Sequence, residues 1–232
     1  MKPHSRLVVF AGINFFTNPV PIISHQSFLA FQQAVISSGL DFIRAENPKN
    51  SIVISRDTPY PLQITVCMLE PQPLGQIMVI APQPKGGLEL FIKEAEAAIQ
   101  AFEDVWPAEK RQIIKADATI RDLYETSSQH AFQELWENRL GQTSKALEAF
   151  GRPIRGGGLR FVLDPIPGEL PVQIEVKVES FLMDTTKIFV ETQYNWPVST
   201  GPGTPFDVRE RLSQMNSYIE NQINAFLTGE TK

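Results

Sequence analysis

The hydrophobic positions of the chain switch repeatedly between a period of two and a period near 3.6, the signatures of strand and helix. Leu7, Val9, Ala11, Ile13 and Phe15 alternate along a first strand, about 6 to 16, that stops at TNPVP. Ser24 then caps a helix with Phe28, Phe31 and Val35 on one stripe, ended near Gly39. SIVIS (51–55), LQITVCMLE (62–70) and GQIMVIA (75–81) predict three strands, divided by the turns DTPYP and PQP. From about 88 to 106, Phe91, Ala95, Ile99, Phe102 and Trp106 recur at helical spacing, with Lys93, Glu94, Glu96 and Glu103 outside the stripe.

The order then starts again. RQIIKADATIRDLYE (111–125) alternates as a strand, and Phe132, Trp136, Leu140, Leu147 and Phe150 predict a long helix over about 128–150. GLRFVLD, VQIEVKVESF and KIFVETQYNW predict three more strands, separated by PIPGELP and a turn near Asp184. After TGPGTP comes a last helix, with Thr204 as cap, Pro205 in the first turn and Asp207 near the positive end. Its expected buried stripe is Val208, Leu212, Met215, Ile219, Ile223 and Phe226.

Each half therefore reads strand, helix, three strands, helix. The letters echo the order: Pro61, Gln63, Ile64 and Val66 return as Pro171, Gln173, Ile174 and Val176, 110 residues later. These observations predict one pseudo-symmetric α+β domain, 1–232, made of an internal duplication with repeats of about 1–107 and 108–232. Two β-α-β-β-β-α units joined edge to edge give one long antiparallel sheet with helices on one side, each unit covering an edge that the other leaves unpaired. In its order of elements the chain is similar to the TATA-box-binding protein, a saddle of two such halves. No residue motif of that family occurs here, so none of its DNA contacts carries over.

Length and charge narrow the partners. A chain of 232 residues buries enough surface to need no disulfide or metal staple. The formal net charge of −5 argues against a general nucleic-acid or anionic-membrane binder, and Glu175, Glu179 and Glu191 stand where the phosphates of a saddle-bound duplex would lie. Lys2 and Arg6 precede the apolar run LVVFAGINFF as in a secretory signal, but no small-residue cleavage site follows, and a strand explains the run. No apolar stretch approaches the ~20 residues of a membrane helix. Cys67 is the one cysteine and cannot form an internal disulfide, which suits a reducing compartment. The expectation is a soluble cytoplasmic protein with neither a nucleic-acid nor a membrane partner.

The search for chemistry returns little. His4, His25 and His130 are scattered, with no ligand-spaced partner, so neither metal nor cofactor is expected. Cys67 lies in mid-strand without a basic neighbour and reads as a packed thiol. There is no GxSxG, no Walker loop and no GxGxxG after a strand, and no catalytic residue is nominated. Asp117, Asp122 and Glu125 around Arg121, and Glu175 and Glu179 around Lys177, read as solvated faces of mixed sign. GRPIRGGGLR at 151–160 is the nearest approach to an anion site, through Arg152, Arg155 and Arg160. It runs from helix into strand rather than strand into helix, and Gly151 as a helix cap with Gly156–Gly158 as a turn or strand entry is the better explanation.

The alternation says more about surfaces. In the second half one strand face is polar: Lys115, Asp117, Thr119 and Arg121; Gln173, Glu175, Lys177 and Glu179; Lys187, Glu191, Gln193 and Asn195. In the first half the corresponding positions are apolar: Phe10, Gly12 and Phe16; Thr65, Cys67 and Leu69; Met78 and Ile80. Either something covers that patch, or the strand parity slips by one residue and exchanges the faces. The functional expectation is a non-catalytic interaction domain that uses Phe10, Phe16, Leu69, Met78 and Ile80 to bind a second copy or another protein. The alternative is a small-molecule or anion-binding protein, or an enzyme, with its pocket at Arg152–Arg160.

Overall fold

The apolar run near the start is β1 (Leu7–Asn18), and it pairs with β6 (Gln112–Glu125). The computed structural model describes residue 2 and residues 5–229 except 72, 170, 198–200, 202 and 205, with the side chain of residue 144 also outside the description. His4, Pro205 and the middle of the PQP turn thus lie outside the described residues. The other strands are β2 (Arg44–Glu46), β3 (Ser51–Arg56), β4 (Leu62–Leu69), β5 (Leu74–Pro82), β7 (Gly158–Leu163), β8 (Gln173–Ser180) and β9 (Lys187–Trp196). Among the described residues these nine strands form one antiparallel sheet in the order β2-β3-β4-β5-β1-β6-β9-β8-β7. The fold is α+β. From the central pair outward the order is β1, β5, β4, β3, β2 on one side and β6, β9, β8, β7 on the other, so β2 has no counterpart.

One face of the sheet is the core face. Ala11, Ile13 and Phe15 of β1, Ile77 and Val79 of β5, Ala118 and Ile120 of β6, and Val190 of β9 are all buried there. Against it lie α1 (His25–Ser37), α2 (Leu88–Val105) and α4 (Val208–Tyr218). Ser24 caps α1 through its side chain and Ser27 returns the bond, while Phe31 and Val35 are buried. In α2 the stripe Phe91, Ala95, Ile99 and Phe102 is buried as its spacing predicts. No described helix is long and apolar enough to cross a membrane.

Several expectations are corrected by local geometry. A bulge between Val8 and Phe10 shifts the register of β1 against β6. Its extra residue exchanges the faces, so Val8 packs on the core and Leu7 is 56% exposed. The long helix over 128–150 is broken into α3 (Ala131–Gln133), a π-helical turn (Glu134–Arg139) and a 3-10 turn (Ser144–Phe150). Gly141 at φ +61° stands between the last two. Phe132, Trp136, Leu140, Leu147 and Phe150 consequently line a cleft of about 220 Å³ instead of a core stripe. Asp207, not Thr204, caps α4, accepting from the Glu210 N–H at 2.8 Å. A π turn (Ile219–Ile223) leads from α4 into α5 (Asn224–Thr228). Its additional residue advances the stripe to Leu227, leaving Phe226 38% exposed against Phe161.

Three carboxylates expected in solvent are buried, Asp122, Glu94 and Glu191. Asp122 points to the core face and is fully buried, bound by the Arg6 Nε at 2.9 Å. Glu94 accepts from Arg56 at 2.6 Å and from the Tyr60 hydroxyl, all three buried between β3 and α2. A buried charge requires such pairing.

Candidate functional site

The face opposite the core carries no covering element among the described residues, and its side chains are fixed by strand register. Gly12 faces Ile80 and Asn14 faces Met78 across β1 and β5, while Thr65 faces Met78 and Cys67 faces Gln76 across β4 and β5. All the apolar positions nominated above therefore project to one side, and the parity holds. Phe10, Phe16, Leu69, Met78 and Ile80 are half-buried, shielded by one another and by the sheet. At Gly12 a Cβ would stand 3.1 Å from the Phe10 ring and 3.2 Å from Ile80, so the missing side chain lets that ring lie down on the strand.

A polar row of thiol and amide groups, ending on one carboxylate, crosses the patch. Cys67 Sγ donates to Gln76 Oε1 at 3.4 Å, Gln76 Nε2 to Asn14 Oδ1 at 2.9 Å, and Asn14 Nδ2 to Asp117 Oδ2 at 3.2 Å. It runs over four adjacent strands, β4, β5, β1 and β6. Burial pushes the Cys67 thiol up, away from the thiolate that nucleophilic chemistry needs. Burial likewise raises the Asp117 carboxyl, against the opposing pull of Lys115 and the Asn14 hydrogen bond.

Beyond β6 the same face becomes a ladder of alternating charge. Arg121 lies 4.7 Å over the Phe10 ring and donates to Glu191 at 2.7 Å. Lys177 joins Glu191 at 2.7 Å to Glu175 at 3.4 Å, and Arg160 closes on Glu175 with two bonds of 2.8 and 2.7 Å. The Arg160 contact holds the Glu175 carboxyl below its usual range. Burial would raise Glu191, but hydrogen bonds from Lys177 and Arg121 keep it low. The charges satisfy one another along the sheet.

The three arginines of the glycine segment go to separate places. Arg160 is committed to Glu175, Arg155 donates to the Leu182 carbonyl at 3.0 Å, and Arg152 lines a cleft of about 400 Å³ with His130, Glu137 and Glu148. The glycines serve close approach: a Cβ at Gly157 would meet the Phe132 ring at 2.7 Å, and one at Gly158 the Val178 carbonyl at 2.3 Å. The Gly157 N–H is already used by the Ser180 hydroxyl at 3.0 Å, so it is not presented to an anion. Gly151 at φ +63° ends the 3-10 turn. Among the described residues no three His, Cys, Asp or Glu side chains converge as metal ligands.

No protein-family model and no curated protein sequence matches the chain. Among solved structures it is similar to DynU16, from the dynemicin biosynthetic locus, at 12% identity over 97% of each chain with a TM-score of 0.25. It is also similar to the immunity protein TplEi of T6SS from Pseudomonas aeruginosa, solved with the "L" peptide, at 9% identity over 94% of this chain and 92% of that one, TM-score 0.22. Likeness of this size assigns no activity.

Proposed function

We propose that the chain is a non-catalytic interaction domain whose open apolar sheet face docks on the same face of a second copy. The observation that carries this reading is the group Phe10, Phe16, Leu69, Met78 and Ile80 on a face that no described element covers. Monomers seldom leave such a patch bare. A second copy suits it because Asn14, Gln76, Gln63 and Thr65, the polar groups within it, are amides and hydroxyls that donate and accept alike. A two-fold interface needs such self-complementarity. Charge lies around it, in Lys115 and Asp117 of β6 with the ladder beyond and in Arg44 and Glu46 of β2, as at an interface rim. The alternative, an anion pocket at Arg152, Arg155 and Arg160, has weaker support, since two of the three guanidinium groups are occupied within the chain.

Sedimentation equilibrium tests the proposal. The expected mass is that of a dimer, falling to a monomer in Phe10→Lys and in Leu69→Lys with unchanged far-ultraviolet circular dichroism. A wild-type chain that stays monomeric at every concentration overturns it.

We also infer that the halves descend from one copied unit with the element order of the TATA-box-binding protein. In support, β4 and β8, which share the pattern P-x-Q-I-x-V, are each the second strand outward from the central pair. An experimental structure whose halves fail to superpose strand on strand removes this inference without touching the dimer.

A further inference from the structure

The sheet ends differently at its two edges. At one edge β2 has three residues and carries the charges of Arg44 and Glu46, a common way of blunting an edge. At the other, β7 has six, with no proline, no lysine and an unbroken register against β8. Such an edge is a template for another strand. The hydrogen-bond phase shows what it offers. The Ser180 N–H donates to the Gly157 carbonyl at 3.0 Å, so these two form a hydrogen-bonded pair. By alternation along the register, Leu159 and Phe161 also turn their N–H and C=O groups toward β8. The intervening Gly158, Arg160 and Val162 turn theirs outward, where no partner meets them among the described residues.

The side chains at this edge specify the partner's composition. On the core face Phe161 is 37% exposed and meets Phe226 edge-on at 5.5 Å, while Leu159 borders the cleft of about 220 Å³. An incoming side chain on that face meets apolar surface. On the outer face the charges alternate from Arg121 through Glu191, Lys177 and Glu175 to Arg160. The row therefore ends at the open edge on a cation. The Arg160 side chain is 65% exposed; its Nε and Nη2 hold Glu175, and its Nη1 has no partner among the described residues. Continuing the alternation, the next strand brings a carboxylate. We propose that β7 is extended by a peptide in β conformation from another protein, with apolar residues on its core face alternating with carboxylates beside Arg160. The backbone groups of Gly158, Arg160 and Val162 supply the ladder, and the charge row selects the sequence.

The test titrates the full chain with a capped pentapeptide of alternating valine and glutamate, followed by calorimetry and by amide hydrogen exchange. Bound peptide is expected to slow exchange at Gly158, Arg160 and Val162, whereas Leu159 and Phe161 are protected already in the free chain. The same peptide with lysine for glutamate is expected to bind about tenfold more weakly at low salt, an attraction being exchanged for a repulsion. N-methylation of the peptide's ladder amides is expected to abolish binding. Val162→Pro removes one outward N–H and leaves the β7–β8 ladder whole, so this variant is expected to fold normally and to lose binding. Arg160→Gln is expected to erase the preference for glutamate over lysine. No binding of the glutamate peptide, equal binding of its N-methylated form, or unchanged binding by Val162→Pro overturns the proposal. So does a wild-type dimer that dissolves in Val162→Pro and survives in Phe10→Lys, for the edge is then taken by a second copy. A correctly folded Phe10→Lys chain is expected to bind the peptide normally, which separates this edge from the open face.

Discussion

The two halves of the sheet are built to opposite plans on their two faces. In the first half the helical layer is whole: Phe31 and Val35 of α1 and Phe91 of α2 are buried with Ile52, Ile54 and Ile64 of the sheet. On β1, β3, β4 and β5 its outer face carries only apolar and neutral polar side chains. In the second half the covering helix is broken at Gly141, and Phe150 and Phe161 are exposed, at 71% and 37%. There the outer face is closed by a charge ladder of its own. A half whose stability rests on one well-covered face can spare the other for a partner. A half with thinner cover keeps its outer face satisfied by side chains that already pair.

The contrast is sharpest between the ion pairs. Arg56 and Glu94 are shut between β3 and α2, with 5% and 11% of their side chains exposed, so removing one strands the other in the core. Glu94→Ala is expected to lower the unfolding free energy by about 3–5 kcal/mol. Glu191, whose partners Arg121 and Lys177 remain 42% and 31% exposed, is expected to lose only about 1 kcal/mol on the same change. Urea unfolding of both variants checks this. Equal losses break the comparison, for Arg121 and Lys177, left without Glu191, would then be as poorly solvated as Arg56 is without Glu94.

How far these differences could be read in the residues depends on whether they are local. Eight of the nine strands were legible because alternation is a local property, and the apolar positions 10, 16, 69, 78 and 80 all fell on one face; β2, three residues long, is too short to show a period. The bulge at Val9 was not legible, since one extra residue leaves no mark in composition. The π turns at Glu134–Arg139 and Ile219–Ile223 hide in the same way. Asp122 was placed with solvent although its even position puts it in phase with Ala118 and Ile120, and its partner Arg6 is distant in sequence. Arg56 offered a usable signal, being in phase with Ile52 and Ile54 on a core-facing strand. A cation at such a position asks for a buried carboxylate. Which ladder residues meet, by contrast, depends on pairings such as Lys177 with Glu191, which periodicity within one strand does not contain.

The seam between the halves supplies a pH test. Burial raises the Asp122 carboxyl to about 6 from its ordinary 3.8, against the pull of Arg6 and with a smaller push from Glu220. The folded chain thus holds this proton at a pH where the unfolded chain has lost it. The stabilisation from Asp122 is complete below about 4 and is lost as pH rises through about 6. Asp122→Asn fixes the side chain in the neutral form. Relative to wild type, the variant is expected to gain about 3 kcal/mol between pH 4 and pH 7, two pKa units being worth that much. Paired urea titrations across that range give the difference directly, and a constant offset between the two curves removes the buried charge from the account.

The smallest effect lies where the two outer faces meet. Arg121 is the hinge of the contrast, for it covers Phe10 of the apolar patch at 4.7 Å and binds Glu191 of the ladder at 2.7 Å. Because its side chain is 42% exposed, both contacts are weak, and Arg121→Ala is expected to reduce stability by about 1 kcal/mol or less. Part of that loss is screened at about 1 M salt, where the Debye length is near 3 Å. What the substitution does to association carries more weight. Without the guanidinium the Phe10 ring is uncovered and the apolar patch extends to β6, so the dimer is expected to tighten severalfold in sedimentation equilibrium while the monomer becomes slightly less stable. Arg121→Lys, which keeps the charge but not the flat group over the ring, is expected to fall between the two. If Arg121→Ala instead loosens the dimer, Arg121 belongs to the contact surface, and the boundary between apolar patch and charged rim lies farther out, at Glu191.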